Sequence, residues 1–416
     1  MRWIKPSEVQ GEIAAPPSKS MTIRAAAAGL LCRQEIRIHD SSACEDALAS
    51  LRIIAALGAD HHIARDVLHI GPGSGAPRSS ILECGESGLC IRLFSPIAGL
   101  YSEALILEAS GSLRLRPLTG MDIALADLGC RCRLSGDLPP VHIQGPLRGG
   151  KVHIDGARTS QFLSGLLMAL PMCGNDSLIS VVQPKSKPYI RMTLSLLKDF
   201  GITIQASPGL DRFEVPGGQT YQADDYTVEG DWSGAAFLLT AGALAGRITV
   251  HNLAPSSHQA DKGILDALEA AGAEVSSTND SVTVAHSRLR GFEFDATHAP
   301  DLFPPLVALA CFCAGRTVIR GAERLRFKES DRAATLVGEF QRLGAVISLE
   351  KNALVIRGGK LQGGEAASHG DHRIAMACAV AGLRSTWGVG IHHPECVAKS
   401  YPDFYSDLTS LQRSAP

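Results

Sequence analysis

The densest cluster of charge in the chain is Arg324-Leu325-Arg326-Phe327-Lys328-Glu329-Ser330-Asp331-Arg332, between a strand-like run (317–320) and a helical one. Lys328 and Arg332 are four apart at a helix start with Glu329 between them, so the carboxylate is poised either as a salt bridge or as a proton-transfer group. Asp371-His372-Arg373 stands before the apolar run 374–383, and Lys399 follows the next strand. Three more clusters share this layout: Ser18-Lys19-Ser20 with Arg24, Glu86-Ser87-Gly88 with Arg92, and Thr159-Ser160-Gln161 with Ser186-Lys187-Pro188-Tyr189. Any one of them alone reads equally well as a capped helix with solvated cations. Of 40 basic residues, however, Lys19, Arg24, Arg92, Arg116, Lys328, Arg332, Arg373 and Lys399 all fall at such junctions. That many cations suits phosphates and carboxylates.

A repeat positions these clusters. Helical runs ending in Gly58, Gly129, Gly201, Gly272 and Gly344 recur at steps of 71, 72, 71 and 72 residues. Each Gly suits the left-handed position that closes a helix, and alternating strand pairs follow it. A sixth helix near 403–411 has no strands after it, and the N-terminal pieces 3–5 and 11–13 are expected to supply them. Six units predict an α/β fold of two domains with three helix-plus-ribbon repeats each, at 14–226 and at 1–13 joined with 227–416. Two chain crossings would form a hinge, which favours a cleft that closes on ligand. A second helix per unit starts at each polar cluster, and Asp231, Asp301 and Asp371 are spaced by 70 and 70. Helix N-termini converging on one cleft make an anion site.

Composition narrows the partners. The chain has 416 residues, 45% of them hydrophobic and 20% charged, with a formal charge of −2. No global field favours nucleic acid, and no apolar run suits a signal peptide or a membrane span, so a cytoplasmic protein is expected. Eleven cysteines are an odd number in a large chain, and several sit in apolar helical runs, which predicts buried reduced thiols. The C-x-C pairs at 130/132 and 311/313 lack a matching half for a zinc site, and no metal is expected.

In order, Ser-Lys-Ser-x-x-x-Arg, Ser-Gln-Phe-Leu, Ser-Lys-Pro-Tyr-Ile, Lys-Glu-Ser-Asp-Arg, Asp-His-Arg-x-Ala-Met-Ala and Ala-Lys-Ser-Tyr-Pro-Asp-Phe span about 13–405. Together they resemble the 5-enolpyruvylshikimate-3-phosphate synthase family of enolpyruvyl transferases. The resemblance implies two inside-out α/β domains with the active site in the cleft between them. It implies transfer of the enolpyruvyl group of phosphoenolpyruvate to the 5-hydroxyl of shikimate 3-phosphate, through a tetrahedral intermediate, by a monomer without metal or cofactor. By position, Lys19, Ser20, Arg24, Thr159, Ser160, Gln161, Ser186, Asp301 and Lys328 would bind shikimate 3-phosphate. Lys19, Gly88, Arg92, Arg116, Gln161, Arg332, Arg373 and Lys399 would hold phosphoenolpyruvate. Lys19, Asp301, Glu329 and His372 would serve catalysis, with Asp301 accepting the hydroxyl proton and Glu329 exchanging protons with the methylene carbon.

Two other readings compete. The sister transferase acting on UDP-N-acetylglucosamine uses a cysteine on a mobile loop, and residues 111–120 contain none. A non-catalytic anion-binding repeat protein would need neither Asp301 nor Glu329. The chain also departs from the family pattern: Glu86, Ser87 and Leu89 stand where Asn, Ala and Thr are usual, Arg324 where Asn is common, and Gly370 where Asn is usual. Gly88 is retained, but a larger Leu89 and a charged Glu86 are expected to weaken glyphosate, slightly longer than phosphoenolpyruvate, more than the substrate. Restoring the usual residues together, by Glu86→Asn, Ser87→Ala and Leu89→Thr, should lower the ratio of glyphosate inhibition constant to phosphoenolpyruvate affinity; an unchanged ratio sinks the idea.

Overall fold

The computed structural model describes residues 1–413, and composition sorts its helices into two sets. Helices α1 (Lys19–Leu31), α3 (Gly88–Ala98), α5 (Gln161–Ala169), α7 (Trp232–Ala245), α9 (Phe303–Ala310) and α11 (His372–Gly382) are rich in Ala, Leu and Gly on every face. They are buried almost all round, α3 and α11 along their whole lengths. A helix apolar on all sides belongs inside. Helices α2 (Glu45–Ala56), α4 (Met121–Asp127), α6 (Lys187–Asp199), α8 (Ile264–Ala271), α10 (Arg332–Arg342) and α12 (Phe404–Leu411) each bury one stripe and lie outside. Close approach of the inner helices has a local cause: a Cβ at Gly165 of α5 would stand 2.6 Å from the Leu93 carbonyl oxygen of α3.

The periodic glycines behave as their spacing predicts. Gly58, Gly129, Gly201, Gly272 and Gly344 all have φ between +76° and +102°, where a Cβ is disfavoured, and each ends an outer helix. Among the described residues five four-stranded sheets follow one plan. In one of them Val346–Glu350 and Ala353–Gly358 form an antiparallel ribbon, Ala353–Gly358 also pairs with Gly315–Arg320, and Glu293–Asp295 lies parallel on the far side of that strand. The sixth sheet has three strands, Arg2–Ile4, Val389–His392 and Gly364–Ala367.

The parallel edge strand of each sheet leads into an inner helix, and two of these lead-in strands are exchanged. Ile81–Glu83 leads into α3 and pairs with the strand that follows α3, Ala104–Glu108. Val9–Ala14 leads into α1 but pairs with Gly246–His251, which follows α7. Asp225–Thr227 leads into α7 but pairs with Ile36–His39, which follows α1. The chain divides into two compact units, Met1–Pro16 with Glu229–Pro416, and Pro17–Val228. The two N-terminal pieces were expected to complete the sixth ribbon together. Only Arg2–Ile4 joins that sheet; Val9–Ala14 finds partners for all six residues along the otherwise open edge of Gly246–His251, which a lone hairpin with the short Arg2–Ile4 would not supply.

Among the described residues no helix is long and apolar enough to cross a membrane. Nine of the eleven cysteines are buried, and burial pushes the Cys90, Cys311 and Cys378 thiols up, so they pack as small hydrophobes.

The exchanged strand sets a stability test. A Cβ at Gly246 would stand 1.9 Å from the Val9 carbonyl oxygen, whereas one at the exposed Gly338 of α10 meets open space. In urea unfolding, Gly246→Ala should cost more than about 2 kcal/mol, and Gly338→Ala should gain about 0.5–1 kcal/mol from helix propensity alone. Equal effects would place the strain elsewhere.

Candidate active site

In the unit Pro17–Val228, three inner helix starts gather the polar residues. Ser18 caps α1 by accepting from the Met21 N–H. Behind that cap, Lys19 Nζ donates to Asp46 Oδ2 at 3.0 Å, both side chains being mostly buried. Arg24 is 1% exposed and donates to Thr193 Oγ1 (2.9 Å), the Ser20 carbonyl (2.9 Å) and Ser164 Oγ (3.3 Å), so it ties α1 to α5 and α6. Burial lowers its pKa to about 10, and it stays protonated at neutral pH.

Gly88 opens α3 behind the Ser87 cap, and a Cβ there would lie 2.8 Å from Arg116 Nη1: the guanidinium rests on bare backbone. One turn on, Arg92 donates to the Gly88 carbonyl (3.0 Å), the Pro117 carbonyl (2.8 Å) and Gln161 Oε1 (3.3 Å), joining α3, α5 and the segment carrying Arg116. Thr159 Oγ1 accepts from the Gln161 N–H, Ser160 stands at the buried N-cap of α5, and Ser186 enters α6 with φ +53°. Arg92 and Thr159 also line a cavity of about 260 Å³.

In the unit Met1–Pro16 with Glu229–Pro416, the three equally spaced aspartates do different things. Asp231 and Asp371 cap α7 and α11, accepting from the Gly234 and Arg373 N–H groups. Asp301, in the 3-10 turn Pro300–Leu302 before α9, makes no cap bond and faces cations instead. Its Oδ1 accepts from Lys328 Nζ (3.1 Å) and Arg332 Nη1 (2.8 Å), and Arg373 Nη2 is 3.3 Å from Oδ2. Burial would raise the Asp301 carboxyl, but Arg373, Lys328 and Arg332 together hold it well below the usual range. It is therefore ionised at neutral pH.

Arg332 centres the network. It also donates to Glu329 Oε2 and to both oxygens of Asp371, Nε to Oδ2 at 2.9 Å and Nη2 to Oδ1 at 3.2 Å. Ser330 Oγ adds a bond to Asp371, and Lys399 Nζ donates to the Gly370 carbonyl (2.9 Å). Gly370 has φ +68°, a conformation Asn also tolerates. His372 is buried in the first turn of α11. Arg324 donates to the Thr297 carbonyl (3.1 Å) and is nearly buried.

Several functional partners escaped the sequence reading. Asp46 looks like an ordinary acidic residue in a first helical turn, and nothing local marks it as the partner of Lys19. Asp371 was read with its motif but not as the anchor of Arg332. Glu86, whose charge is expected to weaken glyphosate, accepts from the N–H and Oγ of Ser112. Among the described residues no cluster of His, Cys, Asp and Glu is arranged to hold a metal ion.

Apolar inner helices with cations and carboxylates gathered at their starts are the layout of an α/β transferase. The chain belongs to the EPSP synthase family, whose model, described as EPSP synthase (3-phosphoshikimate 1-carboxyvinyltransferase), matches residues 4–408. A 3-phosphoshikimate 1-carboxyvinyltransferase of Clostridium perfringens (strain SM101 / Type A) is 37% identical over 414 residues, covering 98% of this chain and 97% of its own. One from Methanocella arvoryzae is 39% identical over 417 residues, with 98% of each chain covered. The solved EPSP synthase of Acinetobacter baumannii superposes with a TM-score of 0.82 at 25% identity, covering 99% of this chain and 98% of that one.

The cation set carries a pH signature. Burial pushes the Lys328 ammonium down to about 8 despite the pull of Asp301. Because its folded pKa lies below the unfolded value, Lys328 costs stability below about pH 8, a cost relieved as pH rises toward about 10.4. In the folded protein its charge is lost as pH rises through about 8. Calorimetric titration with inorganic phosphate should show affinity falling about fivefold to tenfold from pH 7.5 to 9, and Lys328→Arg, which stays charged, should flatten that fall. Coincident curves would exclude Lys328 as the titrating cation.

Proposed function

We propose that the protein transfers the enolpyruvyl group of phosphoenolpyruvate to the 5-hydroxyl of shikimate 3-phosphate, releasing phosphate, as a monomer in the cytoplasm. The observation that carries the reading is the shared guanidinium of Arg332, which holds two partly exposed carboxylates, Asp301 and Glu329, at one site. Addition and elimination at an enol phosphate needs both an acceptor for the hydroxyl proton and a group that gives a proton to the methylene carbon and later takes one back.

Roles follow from chemistry and position. Ser20, Thr159, Ser160 and Ser186 offer hydroxyls, and Lys19, Arg24 and Lys328 charges, to shikimate 3-phosphate. Arg92, Gln161, Arg116, Arg332, Arg373 and Lys399 hold phosphoenolpyruvate, with the bare backbone of Gly88 admitting its carboxylate or phosphate closely. Asp301 takes the 5-hydroxyl proton as the oxygen attacks the enol carbon, and Glu329 protonates the methylene to a methyl group. Cations then stabilise the departing phosphate while Glu329 recovers a proton and the double bond reforms. Ionised Asp301 is already in the state an acceptor needs. Lys19 and His372 complete the catalytic set that the motifs imply.

The experiment is phosphate release from phosphoenolpyruvate, which should require shikimate 3-phosphate. Glu329→Gln keeps the volume but cannot exchange a proton, so kcat should fall about 100-fold or more, with shikimate 3-phosphate affinity within about threefold. Near-normal turnover would remove Glu329 from the proposed role.

A further inference from the structure

The segment carrying Arg116 is tied to α3 at two places, by Arg92, which donates to the Pro117 carbonyl (2.8 Å), and by Glu86. Its 3-10 turn Gly111–Leu115 buries only Leu113, while Leu115 is 78% exposed. Backbone bonds start it, Ser110 N–H to the Gly85 carbonyl (2.8 Å), and close it, Arg116 N–H to the Leu113 carbonyl (3.0 Å). Between them, Glu86 Oε2 accepts from both the N–H and the Oγ of Ser112, each at 2.9 Å. Gly111 lies against the same carboxylate with φ +49°, and a Cβ there would stand 2.3 Å from Glu86 Cδ. A Cβ at 111 would push the Glu86 carboxylate off the turn, so the bare backbone there lets the two meet.

We propose that Glu86 is a positioning residue for Arg116: its carboxylate clamps residues 110–116 to the start of α3 and so sets the guanidinium over Gly88. The consequence is selective. Arg116 meets the anionic enol ester, so loss of the clamp lets the guanidinium wander from phosphoenolpyruvate while the groups on α1, α5 and α6 that serve shikimate 3-phosphate stay in place. The geometry also gives the acid at 86 a use: one oxygen accepting two bonds is a job for a carboxylate or a carboxamide oxygen, and an alkyl side chain cannot do it. The Arg116 assignment rests on the functional reading above; the clamp does not.

Two measurements on the full chain decide it. Amide hydrogen exchange at Ser112 should quicken about tenfold or more in Glu86→Ala, stay near wild type in Glu86→Gln, and change less in Ser112→Ala, judged at residues 113 and 116. In steady state, Glu86→Ala should raise KM for phosphoenolpyruvate about tenfold, with kcat and KM for shikimate 3-phosphate within about twofold, and Glu86→Gln should restore it to within about threefold. Unchanged exchange in Glu86→Ala overturns the clamp, as does Glu86→Gln proving equally loose. Faster exchange with an unaltered KM for phosphoenolpyruvate, or with both KM values raised alike, overturns the positioning of Arg116. If the wild type releases no phosphate from the two substrates, the functional reading fails, and the exchange data still decide the clamp.

Discussion

A guanidinium with no exposed surface, that of Arg332, holds together the first turn of α10, the turn before α9 and the cap of α11. Burying it unpaired would be prohibitive, and breaking one partner of such a buried set typically costs about 3–5 kcal/mol. Three carboxylates meet it, and without it they would repel one another. Burial would lower its pKa, but Asp371, Glu329 and Asp301 raise it, so the cation is permanent. A permanent charge inside the unit fixes where every neighbouring acid must point.

Exposure then separates the acids that share this cation. Asp371 is sealed, accepting from Arg332, Ser330 and its own helix, and functions as the anchor. Asp301 and Glu329 remain 18% and 17% exposed, enough for a ligand to reach them. The same distinction runs through the three equally spaced aspartates: two are engaged in capping and the third is not. A residue released from its helix is available for chemistry, and here the release comes from Lys328, Arg332 and Arg373 attracting the carboxylate more strongly than the backbone N–H groups do.

The other unit solves burial differently. Arg24 is as deeply buried as Arg332, yet its partners are the neutral oxygens of Ser20, Ser164 and Thr193. Hydrogen bonding to neutral oxygens satisfies its donors without cancelling its charge. Arg24 thus acts inward as well, holding the Ser20 carbonyl at the start of α1, a duty that its motif did not reveal.

Local order was legible in the residues. The glycine period, the apolar run of each inner helix and the caps at Ser87, Asp231 and Asp371 depend on neighbours within about four positions, where propensity and stereochemistry act. The ordered motifs marked the segments that carry Lys19, Gln161, Lys328 and Arg373. Pairings across 26 to 31 residues were not legible: Glu86 with Ser112, Lys19 with Asp46, and Arg332 with Asp301. Nor was the exchange by which Val9–Ala14 leaves its own helix to pair with Gly246–His251. These depend on which inner helices pack side by side and on which sheet edge stands open, and that is settled by burying apolar surface over a whole unit. The charged side chains then take the partners that packing has brought within reach.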